Sequence, residues 1–285
     1  MSDNNVLLTG VPRSGTTLTC HLLNKLPDTV ALHEPVRIRK FDGCENFEDI
    51  RQVVARFCDE QRTSIHERKR AISRHVAGAV PDNPFGAGRS ETGLRQSIDS
   101  KDEIVIDKEL SRDFMLVIKH NAAFTALLQA LVERFPVYSI IRNPLAVLTS
   151  WGSVESGPQS GHANAAERFD PDLRAKLAGI DDELDRQISL LDWFYGQFRR
   201  FLPEQSIIRY ESLVESSGKV LSVVRPEAAS LGEPLENLNT NKLYDHQRMI
   251  RIGERLLECE GAYWDFYARG SVEHLLNELK EPTGS

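Results

Sequence analysis

The sequence predicts an α/β protein built on a central parallel sheet with helices on both faces. Three observations predict it. Short apolar runs alternate along the chain with stretches of helical periodicity, the pattern of repeated strand–helix–strand units. The first apolar run enters a glycine turn that opens directly into a helix. The run "VYSIIRNP", residues 137–144, is apolar enough to be covered on both faces, as strands of parallel sheets are.

The elements follow in order. "NVLL" (residues 5–8) is a short buried strand entering the turn. From Thr16 the pattern becomes helical, with Leu18, Leu22, Leu23 and Leu26 on one face and Pro27 as the stop. Residues 29–35, "TVALHEP", predict a second strand. Residues 47–80 read as helix on the spacing of Ile50, Val53, Val54 and Phe57, and residues 81–93, rich in glycine and proline, as a loop. Residues 103–107 and 114–120 predict strands, and 122–134 an amphipathic helix. After the 137–144 strand a helix begins near Leu145. Residues 155–168 read as a surface loop or lid, 184–201 as a helix, 206–213 as a strand, and 241–279 as mostly helical.

A length of 285 residues allows one large α/β domain or two small ones. The net charge of −7 argues against a general binder of nucleic acid or anionic membranes. An anionic ligand would need a local cluster of cations. Cys20, Cys44, Cys58 and Cys259 form no C-x-x-C pair and no metal-ligand spacing, which predicts scattered reduced thiols and no metal. No run of 18 apolar residues and no apolar leader is present, so the expectation is a cytoplasmic protein without a membrane span.

The stretch "LLTGVPRSGTTL" (residues 7–18) reads like a phosphate-binding loop without its lysine. Gly10 and Gly15 keep the spacing of G-x-x-x-x-G-K-[ST], but Thr16 follows where lysine belongs, and Arg13 lies inside the loop. Strand, glycine loop and helix start together present backbone N–H groups and a partial positive charge to an anion. The spacing alone is also compatible with an ordinary strand-to-helix turn. In nucleoside triphosphatases the lysine reaches the outer phosphates and the next hydroxyl holds magnesium. Its absence points to a nucleotide with fewer phosphates at that end.

"GVPRSGTTL" resembles the 5′-phosphosulfate loop of sulfotransferases that use 3′-phosphoadenosine-5′-phosphosulfate. Two further motifs carry the resemblance: Arg142 at a strand end with Ser150 eight residues later, and Tyr210-Glu211 after a later strand. The three occur in family order between residues 10 and 211. The resemblance implies the P-loop-nucleotide-hydrolase-like sulfotransferase fold as a single domain over residues 1–285. Acceptor-side insertions or lids would fall at about residues 44–101 and 155–182. It further implies transfer of a sulfuryl group to a hydroxyl, less readily an amine, with no metal required. Adenosine 3′,5′-bisphosphate is the expected product. The implied nucleotide contacts are Gly10, Arg13, Ser14, Gly15, Thr16 and Thr17 at the 5′-phosphate, Arg142 and Ser150 at the 3′-phosphate, and Tyr210 at the adenine edge.

The resemblance also supplies the transfer groups. Lys119 matches a family lysine that reaches the sulfuryl group, and Arg13 sits near the leaving phosphate. Glu34 resembles the general base of protein-tyrosine sulfotransferases and related bacterial enzymes. His120 resembles the base of the cytosolic enzymes, which carry Lys-x-His; here the spacing is Lys-His, which would turn the ring to the other face of the strand. Glu34 is therefore preferred, with His120 as the alternative and His33 behind both. A glutamate base works best with a raised pKa. Two departures stand out. Leu18 replaces the tryptophan that many cytosolic members carry after Gly-Thr-Thr, and the late basic element has only Lys242, Arg248 and Arg251 as candidates. The acceptor stays open among small-molecule, carbohydrate and lipid-linked hydroxyls, as does the oligomeric state. The competing readings are a P-loop small-molecule kinase, with Asp107 ending a magnesium-holding strand, and a nucleotide-binding module without catalysis.

Overall fold

The computed structural model describes residues 4–241 and 244–280. The chain begins with β1 (Asn5–Gly10), α1 (Thr16–Leu23) and β2 (Thr29–His33). The long helix α2 (Phe47–Arg68) leads into β3 (Arg70–His75), β4 (Phe85–Arg89), β5 (Arg95–Ser97) and β6 (Ser100–Val105). Next come β7 (Met115–Lys119), α3 (Asn121–Ala126), α4 (Leu128–Leu131), β8 (Val137–Ile141) and α5 (Pro144–Trp151). The remainder is α6 (Asn164–Glu167), α7 (Pro171–Ala178), α8 (Glu183–Phe201), β9 (Ile207–Arg209), α9 (Tyr210–Glu215), α10 (His246–Glu258) and α11 (Arg269–Lys280).

Five strands form the central sheet in the order β2-β7-β1-β8-β9, every neighbouring pair parallel. The fold class expected from the sequence is the one found. The two-residue pleat divides the strand residues between two cores. Leu7, Val30, Leu32, Leu116, Ile118 and Ile141 pack on one face, and Val6, Leu8, Ala31, Met115, Val117 and Ile140 on the other. Helices cover both faces, which a parallel sheet requires because its strands have no wet side. From β1 the chain moves first to the β2 side and later to the β8 side. The carboxyl ends of β1, β7 and β8 therefore frame a crevice at a change of winding direction, where open α/β sheets bind ligands.

Several boundaries differ from expectation. The helix expected over residues 47–80 ends at Arg68; Lys69 turns left-handed at φ 53. Residues 70–75 become a strand because β6 pairs with them antiparallel, a long-range pairing that overrides local pattern. The expected 81–93 loop contains β4, which forms a hairpin with β5. The strand expected at 103–107 is β6, and it belongs to the β3–β6 ribbon rather than the parallel sheet. Asp107 thus does not end a strand beside β1, and the kinase reading loses its magnesium-holding aspartate. The helix expected over 122–134 breaks at Leu127 (φ −98, ψ 7) into α3 and α4. The last sheet strand stops at Arg209, where α9 begins with Tyr210. The lid segment holds a 3₁₀ turn (Gly157–Ser160) and α6. All four cysteines are free, and among the described residues no helix is long and apolar enough to cross a membrane.

Candidate active site

The glycine loop is held shut from behind. A Cβ on Gly10 would lie 2.4 Å from the Ile140 carbonyl oxygen, so the end of β1 meets β8 more closely than any side chain permits. The Ser14 hydroxyl donates to that same carbonyl at 2.7 Å, and the Trp151 indole donates to Pro12 O at 2.8 Å. Ser14 is fully buried and braces the loop from within; Gly10 likewise shapes it. Gly15 caps α1 in the left-handed region (φ 91) with no side chain satisfying the first-turn amides. Those amides, with Thr16 and Thr17, face a cavity of about 690 Å³ that Arg13, Gly15 and Leu18 also line.

Arg13 and Arg142 form the cationic end of this cavity. Arg13 adopts φ 72. Its Nε donates to Ser150 Oγ at 3.2 Å and its Nη1 to Asn83 Oδ1 at 3.2 Å, with the guanidinium 4.6 Å over the Phe85 ring. Arg142 Nε donates to Asn239 Oδ1 at 2.8 Å and Nη1 to Arg13 O at 3.0 Å. Its Nη2 is buried and makes no hydrogen bond of ordinary geometry, with the Tyr244 phenol against the guanidinium. The Tyr210 ring lies 4.4 Å beneath the Arg142 guanidinium, and a Cβ on Gly15 would fall 2.8 Å from that ring. The Tyr210 hydroxyl is engaged by the 236–238 segment, donating to Glu236 O at 3.1 Å and accepting from Leu238 N at 3.2 Å. Glu211 binds Asn143 N, the Asn239 amide and the Tyr267 hydroxyl, so it organises the strand ends rather than opposing Arg142.

Ser150 is fully buried, below Arg13 and the Tyr244 phenol. Burial would raise that phenol's pKa; Arg142, the contact to Ser150 and Arg13 outweigh it and hold the phenol below its ordinary value. Arg95 is 5% exposed and donates to Ser153 Oγ at 3.1 Å. Burial, together with the charges of Arg95 and Arg142, lowers Arg13 to about 10. Neither Arg13, Arg95 nor Arg142 makes an ion pair with a carboxylate among the described residues. Buried cations without a carboxylate partner are costly.

The residues expected to act in transfer gather at the ends of β2 and β7. His33 and Lys119 are register partners. Glu34 then turns left-handed (φ 46), with its N–H donating to Lys119 O at 2.8 Å. That conformation is strained for a side chain before proline. Lys119, 1% exposed, donates from Nζ to Glu34 Oε1 at 2.9 Å. Burial alone would raise the Glu34 carboxyl. The Lys119 charge, aided by His120 and His33, instead holds it well below the usual carboxylate range, against the rise expected from the sequence. His120 also differs from expectation. β7 ends at Lys119, so the strand pleat no longer governs His120, and the ring lines the same cavity as Glu34. Burial lowers it to about 4, and its Nδ1 has no partner.

The late basic candidates lie elsewhere. Arg248 stacks on Gly152 and faces Glu183 at 3.5 Å in a separate depression, Arg251 is exposed, and Lys242 falls outside the described residues. Sequence reasoning missed Arg95, Asn239 and Tyr244. They come from the insertion hairpin and from loops, where no periodicity marks them. Both segments expected as acceptor-side insertions line the cavity, through residues such as Ser97, Asp99, Glu155 and His162.

No family model matches the chain, and no curated protein matches it. Solved structures that overlap it loosely include two mycobacterial proteins. The sulfotransferase STF1 of Mycobacterium tuberculosis is 12% identical, with a TM-score of 0.37 over 91% of this chain and 78% of that one. The sulfotransferase STF9 of Mycobacterium avium is 13% identical, with a TM-score of 0.34 over 98% of this chain and 76% of that one. Overlap this loose assigns neither neighbour's chemistry to this chain.

Proposed function

We propose that the chain is a sulfotransferase that takes 3′-phosphoadenosine-5′-phosphosulfate as donor and a hydroxyl as acceptor. The observation that carries the reading is the meeting, at one end of a single cavity, of a glycine loop holding Arg13 with a buried Arg142 whose Nη2 makes no hydrogen bond. Two phosphate seats separated by an aromatic ring, Tyr210, match a nucleoside carrying phosphates on both its 3′ and 5′ oxygens. An orphaned buried guanidinium N–H is costly unless an anion meets it, and Arg142 lines the same cavity as the loop. The residues present therefore fit the nucleotide.

In this reading the first-turn amides of α1, Arg13, Thr16 and Thr17 hold the 5′-phosphate, and Arg142 and Ser150 hold the 3′-phosphate. The donor supplies the activated sulfuryl group. Glu34 takes the proton of the acceptor hydroxyl, and Lys119 faces the sulfuryl oxygens. Arg13 and the loop amides offset charge on the departing phosphate oxygen. Glu34 is ionised throughout the neutral range, so it is ready to accept a proton; its strength as a base rises as Lys119 turns from it toward the sulfuryl oxygens.

Thermal denaturation with added nucleotides tests the reading. Adenosine 3′,5′-bisphosphate should raise Tm well above the shift given by adenosine 5′-phosphate or ATP, with or without magnesium. Equal, magnesium-dependent stabilisation by ATP would overturn it. Tight bisphosphate binding without transfer to any hydroxyl in a broad panel would favour the non-catalytic module.

A further inference from the structure

The cavity wall carries a second series of charged groups that the proposed transfer leaves unused. As register partners, His33 and Lys119 leave the sheet side by side on one face. Lys119 Nζ lies 3.3 Å from His33 Nδ1. An ammonium only donates, so Nδ1 accepts and the ring proton sits on Nε2. Nε2 faces Asp99 Oδ2 at 3.4 Å, and the two side chains are 4% and 2% exposed. Asp99 is itself fixed by a two-pronged contact from Arg74, Nε at 2.8 Å and Nη2 at 3.0 Å, and by the Ser97 hydroxyl. Asp99, Ser97 and Arg74 belong to the segment between α2 and β7, outside the parallel sheet.

We infer that His33 is a positioning residue for Lys119, with Asp99 setting its tautomer. The inference rests on the reading of Lys119 and Glu34 as transfer groups. His33 Nδ1 and Glu34 Oε1 aim the ammonium together, at 3.3 and 2.9 Å, so that loss of Nδ1 lets Nζ leave Glu34. When Glu34 takes up the acceptor proton and becomes neutral, Nδ1 remains as the fixed acceptor that keeps Lys119 from withdrawing. Asp99 makes this possible by holding the ring proton on the far nitrogen; a proton on Nδ1 would point at the ammonium. The insertion that walls the acceptor side thereby also sets the geometry of the transfer lysine.

Two isosteric variants of the full chain separate the bonds. His33→Asn places an amide oxygen near the Nδ1 position and keeps an acceptor for Lys119. His33→Gln reaches Asp99 from the ε position and leaves no acceptor at Nδ1. The readouts are crystal structures of both variants, and turnover and KM for 3′-phosphoadenosine-5′-phosphosulfate with 2-naphthol as acceptor probe. His33→Asn should keep the Lys119–Glu34 contact and turnover close to wild type. His33→Gln should lose the contact and about 10- to 100-fold in kcat, the cost of a misplaced reacting group, with KM unchanged. An intact Lys119–Glu34 contact in His33→Gln, or equal turnover in the two variants, would overturn the inference. If the wild-type chain forms no adenosine 3′,5′-bisphosphate, the transfer reading fails instead, and the two crystal structures still decide whether His33 holds Lys119.

Discussion

The Lys119 ammonium and the Glu34 carboxylate lie 2.9 Å apart at the ends of adjacent strands, and the same backbone closes on itself there through Glu34 N and Lys119 O. The pair joins the charge proposed to meet the sulfuryl group to the group proposed to remove the proton. Glu34→Gln keeps the size and one acceptor oxygen but cannot take a proton. It should bind adenosine 3′,5′-bisphosphate like the wild type and lose about 10²–10⁴ in turnover. His120→Asn should cost far less. The reverse outcome, with Glu34→Gln active and His120→Asn dead, would move the base to the histidine.

Arg142→Ala should weaken adenosine 3′,5′-bisphosphate binding by about 2–4 kcal/mol, the range for removing one partner of a buried charged contact. Binding of adenosine 5′-phosphate should change much less. Calorimetric titration of both ligands gives the comparison. An equal loss for both would mean that Arg142 shapes the loop through its bond to Arg13 O rather than holding a second phosphate.

Gly15→Ala confronts two obstacles at once: φ 91, and a Cβ 2.8 Å from the Tyr210 ring. The substitution should lower stability by about 1–3 kcal/mol and should tilt Tyr210 away from Arg142. Nucleotide binding should fall by more than stability alone explains. Wild-type affinity in a variant of reduced Tm would detach Gly15 from the site.

His120 is held neutral by burial, with its folded pKa near 4 against an ordinary value of 6.5. The unfolded chain therefore binds a proton here over a pH range where the folded chain does not. The stability this site contributes is fully present above about pH 6.5 and declines as pH falls toward 4. The slope from this one group is at most about 1.4 kcal/mol per pH unit. His120→Asn should flatten Tm against pH between 6.5 and 4 relative to the wild type. An unchanged slope would show that the ring is solvated in solution.

The sheet was largely legible in the sequence because its strands are short, apolar on both faces and bounded by glycine, proline or a charged residue. β1, β2, β7 and β8 fall where the apolar runs do. The segment between α2 and β7 was legible only at β6, as a strand without its partner. β3 and β6 exist because they pair with each other, and their alternation, half buried at Ala71, Ser73 and Ile104, is easily absorbed into the helical pattern that precedes it. The site was legible only where it is local. Arg13, Gly15, Thr16 and Thr17 sit within one loop, whereas Asp99 reaches His33 from 66 positions away and Asn239 reaches Arg142 from 97. His120 was misplaced for a single reason: the pleat was carried one residue past the end of β7.

The closure over Ser150 has a kinetic consequence. A hydroxyl with no accessible surface, lying under Arg13 and the Tyr244 phenol, cannot be reached by a phosphate in the first encounter. Under the proposed function, nucleotide association should then proceed in two stages: capture by the loop amides, followed by a unimolecular rearrangement in which the phenol gives way. Observed rate constants in rapid mixing would rise with ligand concentration and level off at the rate of that rearrangement, and Tyr244→Ala would remove the plateau. The residence time of the product, and with it the ceiling on turnover, would be governed by how readily the same phenol returns.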